Sequence, residues 1–134
     1  MSNEVQIWFN GKLRDHADCM VHVQSHALHY GSSVFEGVRA YETPEGTRVF
    51  RLTDHLKRLK YSADVYRIPV PWSIEELHEA CRDTVRASGL PSAYIRPLHS
   101  RRDCGQGELP KDMNVVDVSI IVTPWGAYLG EEGL

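Results

Sequence analysis

Cysteine is sparse in this 134-residue chain, and its three cysteines, Cys19, Cys81 and Cys104, are odd in number and far apart. None forms a C-x-x-C pair, which argues against a disulfide framework or a thiolate zinc site and for free thiols in a reducing cytosol. No stretch approaches the roughly 20 apolar residues of a membrane span. The opening "MSNEVQIWFNGK" has an early Glu and no apolar segment, unlike a signal peptide. Neither G-x-G-x-x-G nor G-x-x-x-x-G-K-[ST] occurs, so no phosphate loop of Rossmann or P-loop spacing is expected. Positive charge is not in excess either. A net charge of -3 gives no reason to expect nucleic acid or an anionic membrane as partner. Lysine is scarce as well, and arginine supplies eleven of the fifteen cations. Arginine suits carboxylate and phosphate recognition, so small anionic ligands remain open.

What is present is an ordinary globular composition, 42% hydrophobic and 25% charged, long enough for one domain with a sizeable core. "VQIWF-NG-KLR" (5–14) reads as a hairpin, because Asn-Gly supplies the positive φ values of a type I′ turn. "VFEGVRAYETPEGTRVFRL" (34–52) repeats the idea with a longer turn, "TPEG". Two helices follow. The first, over 54–67, places Leu56, Leu59, Ala63 and Tyr66 on one stripe, with Thr53 or Asp54 as N-cap. In the second, "SIEELHEACRDTVRASGL", Ser73 and Glu76 form a capping box. Ile74, Leu77, Cys81, Thr84 and Val85 share a face, and Gly89 ends the helix. Strands are expected at 93–100 and 117–125. Between them runs the polar loop "RRDCGQGELPKDMN". This order predicts an α+β fold, a mostly antiparallel sheet with two helices packed on one face.

Strand alternation sorts the candidate site residues. Phe35, Gly37, Arg39 and Tyr41 share one face, and Val34, Glu36, Val38 and Ala40 the other. A glycine inside a strand implies close approach of another group or a bulge, and beside Phe35 it gives the shape of an aliphatic pocket. Tyr94 and Arg96, two residues apart on a strand, make either a fork for a carboxylate or one half of a surface salt bridge. Pro97 places that strand at an edge or breaks its ladder. Arg58 lies off the apolar stripe of its helix, and taken alone it reads as solvated. His22, His26 and His29 have the i, i+4, i+7 spacing of a helical metal site. Gly31 and the β-branched flanks argue against a helix there, and no carboxylate or thiol completes a ligand set.

Five motifs in register, "IWFNG", "VHVQSHALHYGSSVFEGVRAY", "HLKRL..SA..Y.IP", "AYIRPL" and "PWGAYLG", resemble the N-terminal small domain of branched-chain amino acid aminotransferases. These are class IV (fold type IV) pyridoxal-phosphate enzymes. The resemblance implies that Phe35, Gly37 and Tyr128 line a pocket for a branched aliphatic side chain and that Tyr30 enters it from a neighbouring subunit of a dimer or a multiple of dimers. It implies that Tyr94 binds the substrate α-carboxylate, that Arg96 grips the side-chain carboxylate of glutamate, and that Arg58 holds the cofactor phosphate. Glu36 and the histidines are left as structural. The implied reaction moves the amino group of Leu, Ile or Val to 2-oxoglutarate in the cytoplasm.

The resemblance also sets the domain plan: residues 1–130 as the small domain, 131–134 as the start of an interdomain linker, and the lysine-bearing C-terminal domain absent. The chain's own lysines, Lys12, Lys57, Lys60 and Lys111, have no desolvated setting suited to a Schiff-base lysine, so this chain alone is expected to be inactive. The loop "CGQGELP" departs from the family pattern by placing Glu108, or Leu109, where an apolar residue is usual, against strict branched-chain preference. Other class IV enzymes, namely a D-amino-acid aminotransferase or an aminodeoxychorismate lyase, and a binding module without catalysis, are the competing readings.

Overall fold

The computed structural model describes residues 5–103 and 115–125. Strands β1 (Gln6–Phe9) and β2 (Lys12–Asp15) form the expected hairpin. Its Asn10-Gly11 turn has both φ values positive, 48° and 108°, as type I′ requires. A one-turn helix α1 (His26–Tyr30) precedes β3 (Ser33–Phe35), β4 (Val38–Thr43) and β5 (Gly46–Val49). Helices α2 (Leu52–Val65) and α3 (Ile74–Ser88) follow, and then β6 (Ala93–Arg101) and β7 (Val116–Pro124). All strand pairs are antiparallel, in the order β2-β1-β7-β6-β4-β5, with β3 also on β6. The α+β expectation holds.

Both long helices cover one face of the sheet. Leu52, Leu56, Leu59 and Ala63 of α2 and Leu77, Ala80, Cys81 and Val85 of α3 meet Val38, Ile95, Val118 and Ile120 from the strands. Each large aliphatic side chain removed from water stabilises the fold by about 1.5–3 kcal/mol. The α3 capping box is present: Ser73 Oγ accepts from Glu76 N at 3.1 Å, and Glu76 Oε2 accepts from Ser73 N at 2.8 Å. Gly89, at φ 66°, closes the helix as expected.

Helix α2 departs from expectation at both ends. It begins at Leu52, behind Arg51 in a left-handed conformation, and neither Thr53 nor Asp54 caps it. Asp54 instead accepts from Arg51 Nε at 2.8 Å in the first turn, where a carboxylate is favoured. Tyr66 is exposed, and Leu52 extends the buried stripe in its place. The helix ends in a Schellman motif with Arg67, not glycine, at the left-handed position (φ 54°). Ile68 N donates to Ala63 O at 2.8 Å and Arg67 N to Asp64 O at 3.0 Å. The buried Arg101 side chain donates to the carbonyls of Tyr66 and Arg67 and holds this end in place.

Residues 26–30 are helical, against the expectation drawn from Gly31. That glycine, at φ 65°, serves as the helix terminator. His22 lies outside the turn, and among the described residues no group of three His, Cys, Asp or Glu side chains is placed to hold a metal ion. No helix among the described residues is long and apolar enough to cross a membrane.

Candidate functional site

The predicted strand 34–41 is interrupted at Glu36–Gly37. On either side the register against β6 is continuous, from Phe35↔Leu98 to Val38↔Ile95. Glu36 N donates to Pro97 O at 3.1 Å, and proline has no N–H to return. Strand β6 is central, so of the two expectations for Pro97 the broken ladder is the one realised. Strand β5 covers β4 only, which leaves β3 and the Glu36–Gly37 break along a sheet edge among the described residues.

On the face away from the helices, the break is occupied by the expected cluster. The Arg96 guanidinium lies 4.4 Å above the Phe35 ring centroid and 5.5 Å from that of Tyr94. Arg96 Nη2 donates to the Tyr94 hydroxyl at 3.0 Å. Gly37 is where it is for space and not for backbone freedom: a Cβ there would sit 2.7 Å from Tyr94 Oη. The close approach expected at this glycine is therefore that of the tyrosine hydroxyl. Phe35 is 53% exposed and Arg96 is exposed, so ring and guanidinium edge both face outward. An aliphatic group can pack on the ring while a carboxylate pairs with the donors beside it.

Two further residues belong to this surface. The Arg39 guanidinium lies 4.1 Å over the Trp125 ring, and Trp125 stacks on Tyr94 with centroids 6.2 Å apart. Arg39 pairs directly across the sheet with Tyr94. Alternation puts Arg39 on the face of Gly37, but the cross-strand register that brings it to Trp125 is not visible in a linear sequence.

Arg58 is elsewhere. It projects from α2 on the helix side of the same edge, and its side chain is 68% exposed. Its Nε donates to Glu36 Oε1 and Oε2 at 3.1 and 2.9 Å, and its Nη2 to Oε1 at 2.7 Å. Phe35–Glu36–Gly37 thus sends side chains to both faces of the sheet edge. Tyr30, half exposed at the end of α1, packs on the His26 ring at 4.7 Å between centroids. No described contact joins it to Phe35, Tyr94 or Arg96. Tyr128, Glu108, Leu109, Cys104, Lys111 and the linker stretch 131–134 lie outside the described residues.

A concavity of about 660 Å³ lies apart from this cluster, between β5 and α3. Its arginines Arg48, Arg82 and Arg86 are paired with Glu45, Glu79 and Asp83. The chemistry is concentrated instead at the sheet edge, where few groups serve two distinct faces.

Residues 33–133 match the family described as Amino-transferase class IV. The chain is 55% identical over 128 residues to the branched-chain-amino-acid aminotransferase of Salmonella typhimurium, covering 96% of this chain and 41% of that protein. It superposes on the crystal structure of the Escherichia coli branched-chain amino acid aminotransferase with a TM-score of 0.93 at 53% identity, covering 98% of this chain and 43% of the other. It is also similar to the T.th. branched-chain amino acid aminotransferase complexed with N-(5'-phosphopyridoxyl)-L-glutamate. There the TM-score is 0.89 and the identity 44%, over 96% of this chain and 43% of the other. The chain spans about two fifths of the length of the relatives it matches.

Proposed function

The chain belongs to the class IV amino-transferase family, and on that premise we propose that it is the substrate-facing small domain of a pyridoxal-phosphate enzyme exchanging amino groups between Leu, Ile or Val and 2-oxoglutarate. The observation that carries the reading is the cluster at Gly37: an arginine lying on a phenylalanine ring and hydrogen-bonded to a tyrosine. One site must take an uncharged branched side chain in one half-reaction and a carboxylate in the other. The Phe35 ring serves the first. In the second, Arg96 pairs the side-chain carboxylate, which would be costly to bury unpaired. Tyr94, held between Arg96 and Trp125, presents its hydroxyl to the α-carboxylate.

The residues present fit part of a cofactor site. Arg58 is exposed, and Glu36 occupies its Nε/Nη2 edge, so its remaining donors suit a phosphate. When bound, pyridoxal phosphate supplies the electron sink that amino transfer needs. The described lysines are not candidates to carry it: Lys12 and Lys57 are exposed, and Lys60 is exposed and paired with Asp64 at 2.9 Å. The reading therefore assigns that lysine, and with it activity, to a further portion of the enzyme corresponding to the remaining length of the relatives. Tyr128 is assigned to the aliphatic pocket, and Tyr30 to the site of a second copy in a dimer or a multiple of dimers. The exposure of Leu28, Val23 and Tyr30 supports such a contact. A cytoplasmic location is in keeping with the free thiols of Cys19 and Cys81.

Steady-state transamination by the full-length enzyme tests the reading. Arg96→Ala is expected to raise KM for glutamate about 30-fold, the loss of a charge-assisted pair, and to change KM for leucine about threefold or less. Equal losses for both substrates, or no transamination in the parent enzyme, would reject it.

A further inference from the structure

Glu36 is the carboxylate that the reading above leaves without a part. It is 6% exposed, on the helix side of the sheet edge, yet its neighbours Phe35 and Gly37 both belong to the substrate cluster. Its backbone is held by one bond to Pro97 at the ladder break, and its side chain faces α2. There it meets two residues one helical turn apart, His55 and Arg58. His55 Nδ1 lies 2.8 Å from Oε1, and Arg58 reaches both carboxylate oxygens. Burial disfavours the ionised carboxyl, but the hydrogen bonds from Arg58 and His55 outweigh it and hold Glu36 below the usual carboxylate range. Glu36 is thus an anion near neutral pH, and His55 Nδ1 donates to it.

A guanidinium offers its donors along separate edges. Glu36 takes the Nε/Nη2 edge of Arg58, which leaves Nη1 and the outward hydrogen of Nη2 side by side. That pair matches two oxygens of a phosphate. A solvated arginine on a helix face would otherwise sample many rotamers, whereas this one is fixed by a buried anion that is itself braced from the same helix.

We propose that Glu36 is a positioning residue for the cofactor: it grips one edge of Arg58 so that the opposite edge is presented to the phosphate of pyridoxal 5'-phosphate. The inference rests on the reading of Arg58 as the phosphate-binding arm. It also explains why one tripeptide at a broken strand carries Phe35, Glu36 and Gly37 together. A single backbone segment sets the substrate wall on one side of the edge and the phosphate arm on the other.

The test compares two ligands, pyridoxal 5'-phosphate and pyridoxal, which lacks the phosphate. Their dissociation constants are measured by absorbance titration on the full-length apoenzyme, with melting temperatures alongside. Arg58→Ala comes first, and it is expected to weaken the phosphorylated ligand selectively. If it does not, the phosphate-arm reading fails, independently of Glu36. Given that selective loss, Glu36→Gln is expected to weaken pyridoxal 5'-phosphate about tenfold and pyridoxal by less than about twofold, with no further loss in the Arg58→Ala background. Glu36→Asp keeps the buried charge but withdraws it by one methylene, and is expected to show the same selectivity with a smaller loss. Should Glu36→Gln not fold, Glu36→Asp decides. Unchanged affinity for the phosphorylated ligand, equal weakening of both ligands, or full additivity with Arg58→Ala would overturn the assignment.

Discussion

Acidification should destabilise this domain through His99. It lies on the helix-facing side of β6, is 1% exposed, and its Nδ1 has no side-chain hydrogen-bond partner among the described residues. Burial favours the neutral ring and carries its pKa from the ordinary 6.5 down to about 4; a bond with the Leu98 backbone opposes this only in part. The sign follows from linkage. Between those two values the unfolded chain holds the proton and the folded chain does not, so lowering the pH favours unfolding. The contribution is intact above pH 6.5 and is lost as the pH falls from there to about 4. A separation of about 2.5 in pKa corresponds to about 3 kcal/mol, and the part between pH 7 and pH 5 works out at about 2 kcal/mol. Urea unfolding at pH 7, 6 and 5 measures it. His99→Leu, which fills the site without a titrating group, is expected to flatten the dependence in this window. Glu36 does not confound the result. Its carboxyl lies below the usual range, so its contribution is lost only at lower pH. Equal pH dependence in wild type and His99→Leu would refute the argument.

Three other outcomes are expected. Gly37→Ala should push Tyr94 away from Arg96, weakening glutamate binding by the full-length enzyme about tenfold, with a change in unfolding free energy below about 1 kcal/mol; unaltered KM for glutamate would contradict the role given to the gap. Ser73→Ala removes one half of the α3 capping box and should cost about 1 kcal/mol in a denaturant titration. Arg67→Gly relieves a side chain held at φ 54° in the Schellman motif and should raise stability by about 1 kcal/mol, read in the same assay.

Much of the fold was legible because local signals agreed. Asn10-Gly11, the Ser73/Glu76 box, Gly89 and the apolar stripe of α3 each specify their element from a few adjacent residues. The cluster at Gly37 was legible for a similar reason: a period of two places Phe35 with Gly37 and Tyr94 with Arg96. The limits of helix α2 were not. Its boundaries are set by Arg51 and Arg67 in left-handed conformations, which no residue preference announces, and its end is anchored by Arg101 from a distant strand. Nor was the turn at 26–30, where Gly31 reads as a breaker and acts as a terminator.

The α+β architecture, the family resemblance and the sharing of strand faces can all be read from the chain, because they follow from periodicity and short motifs. What each face meets was settled by packing in three dimensions. The strand register laid Arg96 on Phe35, brought Arg39 to Trp125 and fitted the Tyr94 hydroxyl into the space at Gly37. The packing of α2 made Glu36, which the sequence leaves as a structural residue, the buried partner of Arg58. Such pairings depend on the relative placement of elements far apart in the chain, and that placement comes from packing of the whole core.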